Sequence, residues 1–263
     1  MKIYPMVVDL SHWDPASNYN SVKGAGIHGV IYKATEGSSY TDDTYVSQQH
    51  AAKSVGLLWG AYHFADASDV HKQINNFMRF ACPDPDELFC LDWEDNGGNV
   101  MSAANAKTWI TEVEKQLNRP NQCVIYSGNT AKEKISGKDA FFAARRLWLC
   151  QYTAGTPTWQ QSWDNYWLWQ YTDGQNGPTP HSISGIGNCD INSYDRGDST
   201  ELAKEWATGS AQPAPSPPVS ETVDILITAS SGVTVKVRQS QGSAVTRELS
   251  VQKKERHYEA SNK

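Results

Sequence analysis

The chain of 263 residues contains no apolar run approaching the roughly 20 residues that span a bilayer, so no stable membrane insertion is expected. Its first residues, MKIYPMVVDLSHWD, offer one lysine and a short apolar stretch that carries Asp9. They lack the apolar region and small-residue cleavage site of a secretory signal, so no signal peptide is expected. Excess positive charge is missing too. The 23 Lys+Arg face 29 Asp+Glu, a net charge of −6, which argues against nucleic acid as the main partner. No Cys-x-x-Cys pair occurs among the five cysteines (Cys82, Cys90, Cys123, Cys150, Cys189), which argues against a zinc site. Their odd number and apolar neighbours, as in LFCLD, QCVIY and LWLCQ, suggest free buried thiols in a reducing compartment. No internal repeat is visible.

Aromatic residues, by contrast, are abundant, with 10 Trp and 12 Tyr. Such a load serves either a large core or a groove that packs flat sugar faces, and composition does not separate the two. Proline concentrates in SAQPAPSPPVSE, residues 210–221, which reads as a semi-rigid linker. It divides the chain into a domain over 1–209 and a segment over 222–263. In that segment DILITASSGVTVKVRQSQ alternates β-branched residues around a Ser-Gly turn and predicts a hairpin, followed by the polar KKERHYEASNK. So short a stretch is small for an independent core, and it reads as a β-rich or partly disordered appendage. It is mildly basic: the last 45 residues carry seven Lys+Arg and five Asp+Glu.

Residues 1–209 repeat short β-rich apolar runs: MVVDLS, GVIYKATE, LLWGAYHFA, LFCLDWE, QCVIYSG, RLWLCQYT, NYWLWQYT and NCDINSYD. Helical stretches fall between the early ones. TDDTYVSQQHAAKSVG ends in Gly56 as a C-cap, SDVHKQINNFMRFA follows Ser68 as an N-cap, and SAANAKTWITEVEKQLN begins at Ser102. Alternating strands and helices predict an α/β fold with a parallel sheet, and eight strands at this length predict a TIM-like (β/α) barrel. The last three runs are separated by loops rich in Gly, Pro, Asn and Ser, so the barrel is expected to be irregular, with few helices in its C-terminal part.

In such a barrel the C-terminal ends of strands share one mouth. Asp9 ends the first run, Asp92 and Glu94 end the fourth, and Asp190 lies in the eighth. Asp92 and Glu94 stand at i and i+2, so both face one side of the strand, roughly 6–7 Å apart. Crowded acids push one pKa up and leave the other ionised. A protonated acid beside a carboxylate is what glycosidic cleavage uses. An exposed acidic strand end or a helix cap is the competing explanation of the pair alone; matching acids on two other strands weaken it.

The motifs VDLSHWD, GVIYKATEG, GAYHFA, LDWED, VIYSG, LWLCQY, WLWQYT and CDINSYD, in this order over residues 6–195, resemble the glycoside hydrolase family 25 lysozymes. The resemblance implies an irregular barrel, cleavage of the β-1,4 bond from N-acetylmuramic acid to N-acetylglucosamine in bacterial peptidoglycan, and no metal or organic cofactor. It implies Glu94 as general acid, Asp92 as the second essential carboxylate, and Asp9 and Asp190 as supporting acids. Asp92 either orients the substrate's own 2-acetamido group or acts directly as nucleophile or base; its spacing from Glu94 exceeds the roughly 5–5.5 Å of a direct retaining pair and favours the first. Tyr62 matches a cleft aromatic. Lys33 either meets sugar or an acid in the cleft or pairs with Glu36, and Tyr126, Tyr152 and Trp169 are candidate sugar-stacking residues. His63 reads as a core histidine facing the helices, His12 as a loop residue near the mouth, and Trp93 as outward packing. The alternatives are a non-catalytic glycan-binding barrel and a glycosidase of chitin-like N-acetylated glycans. A wall lysin without a signal peptide fits a phage endolysin, made in the host cytoplasm and acting on the wall after release. The C-terminal segment shows none of the choline-binding or LysM repeats often joined to such lysins. It is a candidate contact to the cell wall or to another subunit.

Overall fold

The computed structural model describes residues 2–207. The linker expected over 210–221 and the appendage expected over 222–263 lie outside the described residues. In chain order the strands are β1 (Pro5–Leu10), β2 (Gly29–Glu36), β3 (Tyr40–Thr41), β4 (Leu58–Phe64), β5 (Leu88–Asp92), β6 (Val124–Ser127), β7 (Arg146–Cys150), β8 (Leu168–Thr172), β9 (Ser182–Ile183), β10 (Gly187–Asn188) and β11 (Asp190–Ser193). The helices are α1 (Tyr19–Gly24), α2 (Tyr45–Ser54), α3 (Val70–Phe80), α4 (Ala103–Leu117), α5 (Asn129–Lys134), α6 (Ala140–Ala143) and α7 (Ser199–Trp206). Eight strands, one in each apolar run, form a closed barrel in the order β1-β11-β8-β7-β6-β5-β4-β2, with β2 pairing back onto β1. β3 extends β2 as a short hairpin, and β9 and β10 pair with each other.

The sheet departs from expectation in one strand. The barrel is not wholly parallel, because β11 runs antiparallel to both of its neighbours, β1 and β8. The cause lies in the connection. Parallel neighbours need a crossover to return the chain to the same end of the sheet. Between β8 and β11 the chain forms only the β9–β10 hairpin and loops, so it re-enters from the end at which it left.

Alternation along the strands separates two cores. Val7, Ile31, Leu88, Cys90, Val124, Trp148 and Leu168 belong to the cluster inside the barrel. Val8, Val30, Phe89, Leu91, Ile125, Leu147, Trp169 and Ile191 belong to the cluster between barrel and helices. Both faces are apolar, as expected for strands covered on each side. Of the cysteines, Cys90, Cys123 and Cys189 are buried and Cys150 is half-buried, but Cys82 is exposed, against the expectation for buried thiols; all are free.

The helix ends follow local chemistry. Ser102 caps α4 by accepting from Asn105 N at 3.2 Å, and Asn118 closes it in the left-handed region at φ 54°. Gly56 follows α2 at φ +75°. At α3 the cap is Asp69, which accepts from Lys72 N at 3.0 Å, and not Ser68, whose hydroxyl is engaged by Asp66.

Helix α7 seals the end of the barrel opposite the strands' C-termini. Trp206 is buried and its indole N–H donates to Trp59 O at 2.7 Å. Its ring lies over Gly29, where an added Cβ would stand 2.6 Å from the ring edge. Gly29→Ala is therefore expected to destabilise the domain by about 1–3 kcal/mol through overpacking, read as a lower denaturant midpoint at unchanged m-value.

Candidate active site

Asp9 is the fifth residue of β1, Asp92 the last of β5, and Glu94 follows β5 by two residues. Asp190 is the first residue of β11 rather than part of a strand end in the parallel sense. Because β11 is antiparallel, that first residue reaches the mouth, where it lies in register with Asp9. All four carboxylates line one cleft of about 420 Å³ together with Trp13, Lys33, Tyr62, Tyr126, Trp148 and Gln170. A cleft of this size suits a small number of sugar rings.

Each acid is held differently. Both oxygens of Asp9 are bonded, Oδ2 by Gln170 Nε2 at 2.8 Å and Oδ1 by Asn192 Nδ2 at 2.7 Å. Burial still pushes its pKa up to about 7 against these two bonds. Burial, and next the charge of Asp9, push Asp190 up to about 9. Asp92 is held well above the carboxylate range by burial and then by Glu94 and Asp9, with Lys33 opposing. Its Oδ1 is buried without a hydrogen-bond partner. Glu94 is raised by burial and lowered by Lys33. A buried carboxylate oxygen without a donor is costly to ionise.

Trp93, between the pair, turns outward as expected: its indole donates to Met101 O at 2.8 Å and its ring stacks on Phe142 at 5.4 Å. The outward turn of Trp93 leaves Asp92 and Glu94 on the cleft side.

The remaining sequence candidates divide. Lys33 pairs with Glu36 at 2.5 Å and also lines the cleft. Tyr62 and Tyr126 are in the cleft. Tyr152 lies in an adjoining groove of about 490 Å³ that shares Glu94 with the cleft. Trp169 is a correction. It is buried outside the barrel, against Tyr166 and Tyr171, and its indole donates to Gln151 O at 2.8 Å. The cleft instead receives Gln170, one residue on. His63 is a core histidine, bonded to Thr35 at 2.7 Å and to Gln73 of α3 at 3.0 Å and stacked on Trp109; burial pushes its pKa down to about 4. His12 sits at the rim, 2.9 Å from Asp42.

The structure adds residues that the sequence reading does not name as candidates, among them Trp13, Trp148 and Gln170 in the cleft and Asn192 behind Asp9. Asn192 carried a readable signal, because Asp190-Ile191-Asn192 repeats the i, i+2 spacing of Asp92-Trp93-Glu94. Trp13 is 83% exposed beside the cleft, with the His12 ring 4.6 Å away and most of its own ring open among the described residues.

An eight-stranded α/β barrel with crowded acids at its mouth is the architecture of a glycosidase, in which carboxylates in unlike environments divide acid and base roles. The chain belongs to glycosyl hydrolases family 25, whose family model matches residues 8–179. It is 29% identical over 178 residues to Lysozyme M1 of Streptomyces globisporus, covering 63% of this chain and 60% of that protein. It is 27% identical over 197 residues to the autolytic lysozyme of Clostridium acetobutylicum, covering 72% of this chain and 56% of that one. The chain thus spans less than two thirds of the length of either relative. The crystal structure of the bacterial lysozyme from Streptomyces coelicolor superposes with a TM-score of 0.66 at 26% identity, covering 79% of this chain and 98% of that one.

Proposed function

We propose that this chain is a peptidoglycan hydrolase that cleaves the β-1,4 bond between N-acetylmuramic acid and N-acetylglucosamine. The observation that carries the reading is the buried, unpartnered Oδ1 of Asp92 beside Glu94 in a cleft of raised carboxylates. An acetamido N–H is the donor that oxygen lacks, and the sugars of the wall glycan bring one on each ring.

The steps follow from that pairing. In the resting cleft burial raises the pKa of both acids, and the charges of Glu94 and Asp9 raise that of Asp92 further. The substrate's acetamido N–H donates to Asp92 and favours its ionised form. The proton then resides on Glu94, which passes it to the glycosidic oxygen as that bond breaks. The acetamido oxygen attacks the anomeric carbon as the leaving group departs, and Asp92 accepts from the N–H of the cyclic cation. Glu94, now ionised, takes a proton from the water that opens the ring, and the configuration is retained. Glu94 borders both the cleft with Asp92 and the groove with Tyr152, which supports a scissile bond bound between them.

A paired digestion of purified peptidoglycan and of chitin tests the substrate class. Soluble reducing ends from peptidoglycan alone are expected. Equal release from chitin would favour a general hydrolase of N-acetylated glycans, and binding without release from either would favour a glycan-binding barrel. In the same assay Trp13→Ala is expected to raise KM about tenfold and leave kcat and the melting temperature nearly unchanged. That matches the loss of one stacking surface worth about 1–1.5 kcal/mol.

A further inference from the structure

Behind the four acids lies a chain of hydrogen bonds whose direction is set by its end members. The indole N–H of Trp148 can only donate, and it donates to Asn192 Oδ1 at 2.6 Å. The other end of that amide, Nδ2, therefore faces Asp9 Oδ1 at 2.7 Å. On the opposite side Gln170 Oε1 accepts from two phenols, Tyr126 at 2.9 Å and Tyr152 at 2.8 Å. Its Nε2 is thereby presented to Asp9 Oδ2 at 2.8 Å. Asp9 meets an N–H group on each oxygen, and these two bonds favour its ionised form against the effect of burial. Gln170 and Asn192 are themselves buried, 1% and 0% exposed, with their polar atoms committed.

We infer that Gln170 is a positioning residue of the hydrolytic site: it ties the hydroxyls of Tyr126 and Tyr152 to Asp9 and, with Asn192, orients the Asp9 carboxyl and favours its ionised form beside Asp92 and Glu94. It acts through Asp9 and the two phenols. The charge so fixed faces Asp190 across the β1–β11 pair, Asp14 from its own loop, and Asp92 and Glu94 from the end of β5. Tyr62 of β4 and Lys33 of β2 complete the surroundings. A fixed anion there stabilises the cation that forms at the sugar, and one amide sets both the anion and the two rings that flank the cleft. The inference rests on the peptidoglycan-hydrolase reading.

The test is the pH profile of kcat/KM on peptidoglycan for the wild type, Gln170→Glu, Asn192→Asp and Gln170→Leu. Wild-type turnover comes first, and its absence would count against the substrate reading, not the relay. In Gln170→Glu an oxygen replaces the N–H facing Asp9, and that contact survives only while the two carboxyls share a proton. Its alkaline limb is expected to move down by about one pH unit or more, with acid-side activity kept within a few-fold. Asn192→Asp, which puts an oxygen against the other side of Asp9, is expected to shift the same limb in the same direction. Gln170→Leu, with no donor, is expected to lose about 10–100-fold at every pH. A wild-type limb in both acid variants would overturn the assignment, whether activity stayed full or fell evenly across pH as a packing defect would cause. So would wild-type kcat/KM in Gln170→Leu. If the leucine variant fails to fold, the two acid variants carry the decision.

Discussion

Glu94→Gln is expected to lower kcat on peptidoglycan about 10³–10⁴-fold while the barrel stays folded. General acid catalysis contributes about 10²–10⁴-fold, and here the leaving group is a poor one, which places the loss at the upper end. Glutamine keeps the shape and hydrogen-bonding reach of the side chain and loses the proton. The fold should tolerate the change, because Glu94 follows β5 and is only half-buried, and the charge removed is one that repels Asp92. KM should move little if the glutamine still meets the same sugar. A circular dichroism melt and the turnover rate, measured on one preparation, separate the lost proton from a lost fold. Turnover within about tenfold of wild type would remove Glu94 from the role of acid.

The second large effect has the opposite sign for stability. Asp190→Asn is expected to stabilise the protein at neutral and mildly alkaline pH while impairing the site. Asp190 titrates from its ordinary 3.8 up to about 9 in the folded chain. A raised carboxyl pKa means that the folded state binds the proton more tightly than the unfolded one. The stability contributed by that bound proton is fully present below about pH 4. It is lost as pH rises through the window from about 4 to about 9. Asparagine does not titrate and keeps the uncharged form throughout. The difference in melting temperature between variant and wild type should therefore be near zero at pH 4 and grow toward pH 8–9. Recovering about 2 kcal/mol of repulsion and desolvation would raise the melting temperature there by roughly 4–8 °C. A difference independent of pH would place the effect elsewhere than in the charge.

Both expectations treat the mouth of the barrel as a place where stability is given up for chemistry, and much of that mouth was legible in the sequence. The eight apolar runs each hold one barrel strand because strands buried on both faces read as continuous β-rich stretches. That same property hid the phase of the strands. In WLWQYT both faces are apolar, so nothing local says whether Trp169 or Gln170 turns inward; the structure turns Gln170 inward. In LDWED the phase was visible, since two acids at i and i+2 cannot both be left in an apolar outer layer. Strand direction at β11 was also readable in principle. The loops that predicted an irregular barrel lack the helix needed for a parallel return, and their absence is what brings Asp190 to the mouth. Helix α1, six residues long, is too short for a periodic signal, and α5 and α6 are no longer. Helix α7 did have one: Asp198 caps it, and Glu201 stands three residues further on. Trp13 was missed for a different reason. Exposure is a property of the fold, and no pattern in VDLSHWD marks that ring as uncovered.

Cleavage of the muramyl bond by Glu94 paired with Asp92 leaves a defined sugar at the new reducing end. Digesting purified peptidoglycan with the wild type and with Glu94→Gln, reducing the new ends with borohydride and identifying the reduced sugar by mass spectrometry tests it most directly. Reduced muramic acid is expected from the wild type and almost none from the variant. Reduced glucosamine ends from the wild type, or reduced muramic acid in equal amounts from both proteins, would contradict it.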